Sequence, residues 1–159
     1  MVATVNRRTS IEHLRKVAEF QACSRRQLES VARLAERVQV NEGETLTKEG
    51  RIGREFFMIL SGQVAVTRGG RRIATLGSGQ FFGELAAVSP APRSATVTAL
   101  CDLDVLIIGP RELTQMFEIP GFRDSLLTTM AERLRSVDAE LHSALTEQEG
   151  AREPYAGSQ

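Results

Sequence analysis

The 159-residue sequence predicts an α+β fold, in which a roll or small jelly-roll barrel of short strands is flanked by helices. Three observations predict it. Both ends of the chain carry apolar residues at helical spacing. The period becomes strand-like near Val40 and returns to helical after Ile108. Nine of the thirteen glycines fall between Gly43 and Gly83, where they punctuate short apolar runs such as FFMIL, VAV and ATL.

The elements follow in order. Ile11, Leu14, Val17 and Ala18 form one apolar stripe, and Leu28, Val31, Leu34 and Ala35 form a second. Ser24 followed by Gln27 has the form of a capping box opening the second helix. Residues 1–40 are therefore read as N-terminal helices, with the helical zone reaching about Val38. Residues 41–109 are read as the roll. Within it Gly69-Gly70, between QVAVTR and RRIATL, predicts a two-residue hairpin loop. Ser61-Gly62 predicts another turn, with positive φ at the glycine. Ser94 to Leu100 and Asp102 to Ile108 supply two late strands. Pro110 suits the first position of a helix ending near Phe117, and Pro120-Gly121 breaks it. A longer helix is expected from Phe122 to about Gln148. Its stripe runs Phe122, Leu126, Met130, Leu134, Val137, Leu141 and Leu145, a spacing that serves an amphipathic helix or a short coiled-coil seam. Residues 110–148 thus form a C-terminal helical pair, and 149–159 a flexible tail.

Composition narrows the function. Hydrophobic residues make up 42% and charged residues 25%, a globular balance that excludes a disordered chain. Lys plus Arg and Asp plus Glu are both 20, so the chain has no basic excess for a nucleic-acid or anionic-membrane surface. No apolar run reaches the length of a membrane span, and the N-terminus has no signal-peptide core. A cytoplasmic location and no membrane partner are expected. Cys23 and Cys101 sit in different elements and read as two free thiols. The histidines, His13 and His142, both fall in helices. A metal-dependent enzyme on a cupin-like roll needs clustered His and Glu ligands on strands, so no catalytic residue, metal or cofactor is expected.

One segment carries chemistry. Phe81 to Val97 reads FFGELAAVSPAPRSATV and places Glu84 nine residues before Arg93. Gly83 allows close backbone approach. The amides after it, if they open a helical turn, point at an anion. Arg93 can neutralise that anion with a forked contact, and Glu84 can accept from a sugar hydroxyl. A small ligand with a phosphate at one end and a ribose at the other needs such a pair. The alternatives are a carboxylate drawn to a helix start and an ordinary surface arginine.

The segment resembles the phosphate-binding cassette of cyclic nucleotide-binding domains, roughly F-G-E-L-A, a short loop, then P-R-x-A-T-V. The matching residues are Phe82, Gly83, Glu84, Leu85, Ala86, Pro92, Arg93, Ala95, Thr96 and Val97. The preceding Glu55 to Val66 is also similar, and the resemblance extends over roughly Phe20 to Leu145. It implies an eight-stranded type of β-roll with cassette 81–97, and a cAMP- or cGMP-binding regulatory domain without catalysis. It assigns the ribose to Glu84, the phosphate to Arg93, and backbone amides to Leu85 and Ala86. Ser94 is placed against phosphate or base. The family tends to Thr there for cGMP and Ala in many cAMP binders, so Ser is intermediate and cAMP is favoured. In relatives of the catabolite activator, a basic residue near Arg133 approaches the ribose-binding glutamate, and two hydroxylated residues reach the adenine. Here those two positions fall near Val137 and Asp138, a departure that suggests an apolar lid formed by Val137 or Leu141. Lid closure would hinge at Ile119-Pro120-Gly121. The same stripe could instead pair two copies in a homodimer. Transcription factors of the catabolite-activator type carry a helix-turn-helix after the long helix. Only a short tail follows here, so DNA binding by this chain alone is not expected. The alternative is a sensor fragment of a larger regulator, channel or kinase subunit, whose output partner the residues do not reveal.

Overall fold

In a computed structural model of the chain, residues 11–17, 20–84 and 89–151 are described. Two helices come first, α1 (Ile11–Arg15) and α2 (Arg25–Leu34). Ten strands follow: β1 (Glu36–Val40), β2 (Thr45–Thr47), β3 (Ile52–Gly53), β4 (Phe56–Ser61), β5 (Val64–Arg68), β6 (Arg71–Leu76), β7 (Phe81–Phe82), β8 (Ala91–Pro92), β9 (Thr96–Ala99) and β10 (Leu103–Ile108). The chain then forms α3 (Pro110–Met116) and α4 (Pro120–Ala151).

Eight of the strands make two four-stranded antiparallel sheets, in the orders β1-β10-β4-β7 and β2-β9-β5-β6, and β3 pairs with β8 as a separate ribbon. The inner faces of the two sheets meet in a core that includes Val38, Val40, Phe57, Ile59, Val64, Phe82, Val97, Leu103 and Val105. The outer face of the first sheet is buried too, because Phe56, Met58, Phe81, Leu106 and Ile108 are all 1% exposed or less. Phe122 makes an edge contact to Phe56 at 6.3 Å and stacks on Phe20 at 6.0 Å. A strand covered on both faces reads as an unbroken apolar run, and FFMIL is such a run.

Local chemistry accounts for the boundaries. Ser24 Oγ accepts from Gln27 N at 3.2 Å and Gln27 Oε1 accepts from Ser24 N at 2.8 Å, completing the capping box. Gly69 and Gly70, with φ of 58° and 76°, turn β5 into β6. Gly62 has φ of 98°. It crosses the chain from one sheet to the other, so β4 and β5 are not hairpin partners.

Three boundaries differ from the sequence reading. The N-terminal helical zone stops at Leu34, because in ERVQV Val38 and Val40 alternate inward and pair with Val105 and Leu103 of β10. Residues 36–40 therefore belong to the roll and not to the N-terminal helices. The last helix begins at Pro120, not Phe122, since a proline is compatible with a first helical turn. It also runs to Ala151, past the expected tail boundary at 148. Ala18 and residues 152–159 lie outside the described residues.

The chain divides into two compact units, Met1–Arg123 and Asp124–Gln159. The first holds the roll with α1, α2 and α3. The second is the body of α4, whose Leu127, Leu134, Val137, Leu141 and Leu145 are 55%, 71%, 61%, 57% and 52% exposed. No helix among the described residues is long and apolar enough to cross a membrane.

Candidate functional site

The cassette is assembled by pairing with distant strands. β7 lies against β4 with Phe57 opposite Phe82, and the two rings stack at 4.8 Å and 8°. The chain then reaches Gly83 at φ of 84°. A Cβ there would stand 2.7 Å from the Glu55 carbonyl and 2.8 Å from Arg93 Nη1, so both conformation and space demand glycine. Glu84 follows, half-buried and in helical conformation. Leu85 and Ala86 lie outside the described residues.

On the far side of the loop, β8 pairs with β3, Ile52 opposite Pro92 and Gly53 opposite Ala91. Arg93 N donates to Arg51 O at 2.8 Å, and Gly50 N donates to Arg93 O at 2.9 Å. The backbone of Arg93 is thus held on both its donor and its acceptor. Its side chain is only 8% exposed. Nη2 donates to the Glu55 carbonyl at 2.8 Å and approaches Glu55 Oε2 at 3.4 Å, while Nη1 donates to the Gly83 carbonyl at 3.4 Å. Cζ stands 5.8 Å from the centre of the Phe57 ring.

Burial lowers the Arg93 pKa from its ordinary value, and the charges of Glu55 and Glu84 oppose that shift. A guanidinium keeps its proton in proteins. The site therefore presents a desolvated cation that is only partly compensated, which favours an incoming anion. The Glu84 carboxylate is near enough for its charge to act on Arg93. A cavity of about 460 Å³ opens beside Arg93, Glu55 and Gly53, with Thr47 and Thr96 in its wall. Among the described residues no group of three His, Cys, Asp or Glu side chains could hold a metal ion.

The other expected residues distribute as follows. Phe82 and Ala95 are buried, at 6% and 8% exposed, and shape the cassette from beneath. Ser94 is exposed, and its carbonyl accepts from Arg68 Nε at 2.9 Å. Arg133, half-buried, and Val137, exposed, lie on α4 in the second unit. The four phenylalanines 56, 57, 81 and 82 are core residues, at most 6% exposed. Sequence reasoning missed Gly53, Glu55 and Arg68. Each looks like an ordinary turn or surface residue in its own segment, and only pairing across about 25–40 residues brings it to the cassette.

Residues 37–119 match the family described as the cyclic nucleotide-binding domain. The chain is 31% identical over 128 residues to a cGMP-dependent protein kinase of Eimeria tenella, covering 80% of this chain and 12% of the kinase. It is 31% identical over 121 residues to the cyclic AMP receptor protein of Thermus thermophilus, covering 72% and 56%. The solved structure of the catabolite activator protein of Thermus thermophilus superposes with a TM-score of 0.72 at 26% identity, covering 79% of this chain and 62% of that one. The chain thus spans 12% of the kinase and little more than half of the receptor protein.

Proposed function

The chain belongs to the cyclic nucleotide-binding domain family, and on that premise we propose that it is a non-catalytic receptor module for cyclic nucleotide, with cAMP preferred over cGMP. The observation that carries this reading is Arg93, a guanidinium buried to 8% exposure, beside a cavity and within the field of Glu84. A cyclic nucleotide has one phosphate negative charge and one free ribose hydroxyl. In the proposed pose Arg93 neutralises the phosphate, with backbone amides of Leu85 and Ala86 beside it, and Glu84 accepts from the ribose 2′-hydroxyl. Phe82, Gly83 and Ala95 shape the pocket and Ser94 meets the phosphate or the base. Arg133 and Val137 are the candidates contributed by α4. The preference for cAMP rests on Ser94 alone, and the relatives divide between a cGMP-dependent kinase and a cyclic AMP receptor protein.

The test is calorimetric titration with cAMP, cGMP and 2′-deoxy-cAMP. Micromolar or tighter binding is expected, weakened at least tenfold in Arg93→Ala, since a charge-assisted hydrogen bond contributes roughly 1.5–3 kcal/mol. Glu84→Gln should weaken cAMP more than 2′-deoxy-cAMP. No binding of either nucleotide to the wild-type chain would refute the reading.

A second reading concerns assembly. The exposed Leu134, Val137, Leu141 and Leu145 recur at spacings of three and four, which suits a seam with a second copy or a lid over the ligand. The dimer predicts that Leu134→Lys with Leu141→Lys lowers the mass in sedimentation equilibrium. The lid predicts ligand-induced hydrogen-exchange protection of residues 120–148. In either case the module is proposed to act within a larger regulator, channel or kinase subunit, or to report to a separate output protein.

A further inference from the structure

Gly53 is a glycine whose backbone does not need to be one. It adopts none of the positive φ values found at Gly43, Gly50 or Gly83, and it sits in a paired strand opposite Ala91. What it lacks is room. A Cβ built on Gly53 would stand 2.5 Å from Arg93 Nε, 2.8 Å from Nη2 and 2.9 Å from Cζ. Those are three atoms of the one guanidinium on which phosphate recognition is proposed to depend. Gly83 borders the remaining nitrogen, Nη1, from the cassette side.

We propose that Gly53 is the positioning residue for Arg93: its missing Cβ makes the slot in which the guanidinium lies, and so sets the chain's affinity for a phosphate-bearing ligand. This rests on the receptor reading above. Two features fix where strain must go if the slot is filled. The β3 backbone is tied in place, because it pairs with β8 through Ile52 opposite Pro92 and Gly53 opposite Ala91. The chain leading into it is bound to Arg93 itself, whose N donates to Arg51 O at 2.8 Å and whose O accepts from Gly50 N at 2.9 Å. The clashing atoms are the far end of a long side chain, which moves more easily than backbone. A methyl group at 53 therefore leaves the fold in place and expels the guanidinium. Expulsion breaks the Nη2 bond to the Glu55 carbonyl and moves the charge away from the field of Glu84. Gly53 and Gly83 then differ in kind. Gly83 serves the turn and the slot together, whereas Gly53 serves only the slot.

The experiment is Gly53→Ala, alone and combined with Arg93→Ala, read by cAMP and cGMP titration and by thermal unfolding. Gly53→Ala is expected to weaken binding about ten- to a hundredfold, the scale of one charge-assisted hydrogen bond. In the Arg93→Ala background the same change should alter affinity by no more than about twofold, since there is no guanidinium to displace. A ligand-free readout separates this proposal from the receptor reading. The Arg93 Nε–H resonance, assigned by its loss in Arg93→Ala, should exchange slowly in the wild type and fast in Gly53→Ala. If the wild type binds neither nucleotide, the receptor reading fails, and the resonance still decides the slot. The inference is overturned by a Gly53→Ala chain that keeps the protected resonance and wild-type affinity. It is equally overturned by one that fails to fold, or by an equal loss in both backgrounds.

Discussion

Gly83→Ala tests whether the cassette turn is held by conformation, by space or by both. The structure supplies a matched control in Gly70→Ala. Both glycines have positive φ, 84° and 76°, but a Cβ at Gly70 meets nothing within 4 Å, whereas one at Gly83 meets the Glu55 carbonyl at 2.7 Å. The left-handed conformation costs an alanine roughly 1–2 kcal/mol, less about 0.4–1 kcal/mol from the stiffer unfolded chain. Gly70→Ala carries only that net cost. Gly83→Ala adds an overpacking cost of about 1–3 kcal/mol. The clash is against backbone whose register is set by Phe57 opposite Phe82, so it cannot relax cheaply. For a chain of this size each kcal/mol lowers Tm by roughly 2–4 °C. Gly83→Ala should therefore melt roughly 2–12 °C below Gly70→Ala in circular-dichroism scans, taking the overpacking difference alone. Melting within 1 °C of each other would refute the close-approach argument.

Three further outcomes are expected. Asp104→Ala removes the carboxylate that accepts from Arg37 Nε and Nη2, in a pair whose side chains are 12% and 15% exposed. The stranded guanidinium should cost about 2–4 kcal/mol in urea unfolding, and Arg37→Met with Asp104→Leu should cost less than that single change. Ellman titration of the native chain should count one fast thiol, the exposed Cys101, with buried Cys23 reacting only on unfolding. Burial also raises the Cys23 pKa above its ordinary 9.0. Its contribution to stability is then complete below that value and is lost as pH rises through the folded pKa. Cys23→Ala should flatten the decline in stability above about pH 9.

Much of the fold was legible because its signals are local. The capping box at Ser24 and Gln27 acts within one turn, and Gly69-Gly70 needs no partner to dictate a hairpin. Pro110 marks a helix start by its fixed φ, whereas Pro120, expected to be part of a break, is itself the first residue of the last helix. The helix-to-strand switch at Glu36 was misread. ERVQV is too short to show its alternation clearly, and its strand character comes from pairing with Leu103 to Ile107, more than sixty residues away. The apolar spacing of α4 was visible in full, yet spacing alone does not tell which members are covered. Phe122 and Leu126 are buried at 1% and 2% exposed, and Leu134 is 71% exposed.

The candidate site divides the same way. The sequence by itself determined that Gly83, Glu84 and Arg93 share one short segment, because their spacing is a property of the chain. Tertiary structure decided what surrounds the charge. Arg93 is held by the carbonyl of Glu55 and by the vacancy at Gly53, which lie 38 and 40 positions earlier in the chain. A backbone carbonyl carries no side-chain signature, and Gly53 is one glycine among many in the roll, so its residue type alone does not say that Arg93 lies against it. They meet the guanidinium only when β3 pairs with β8 and β4 pairs with β7.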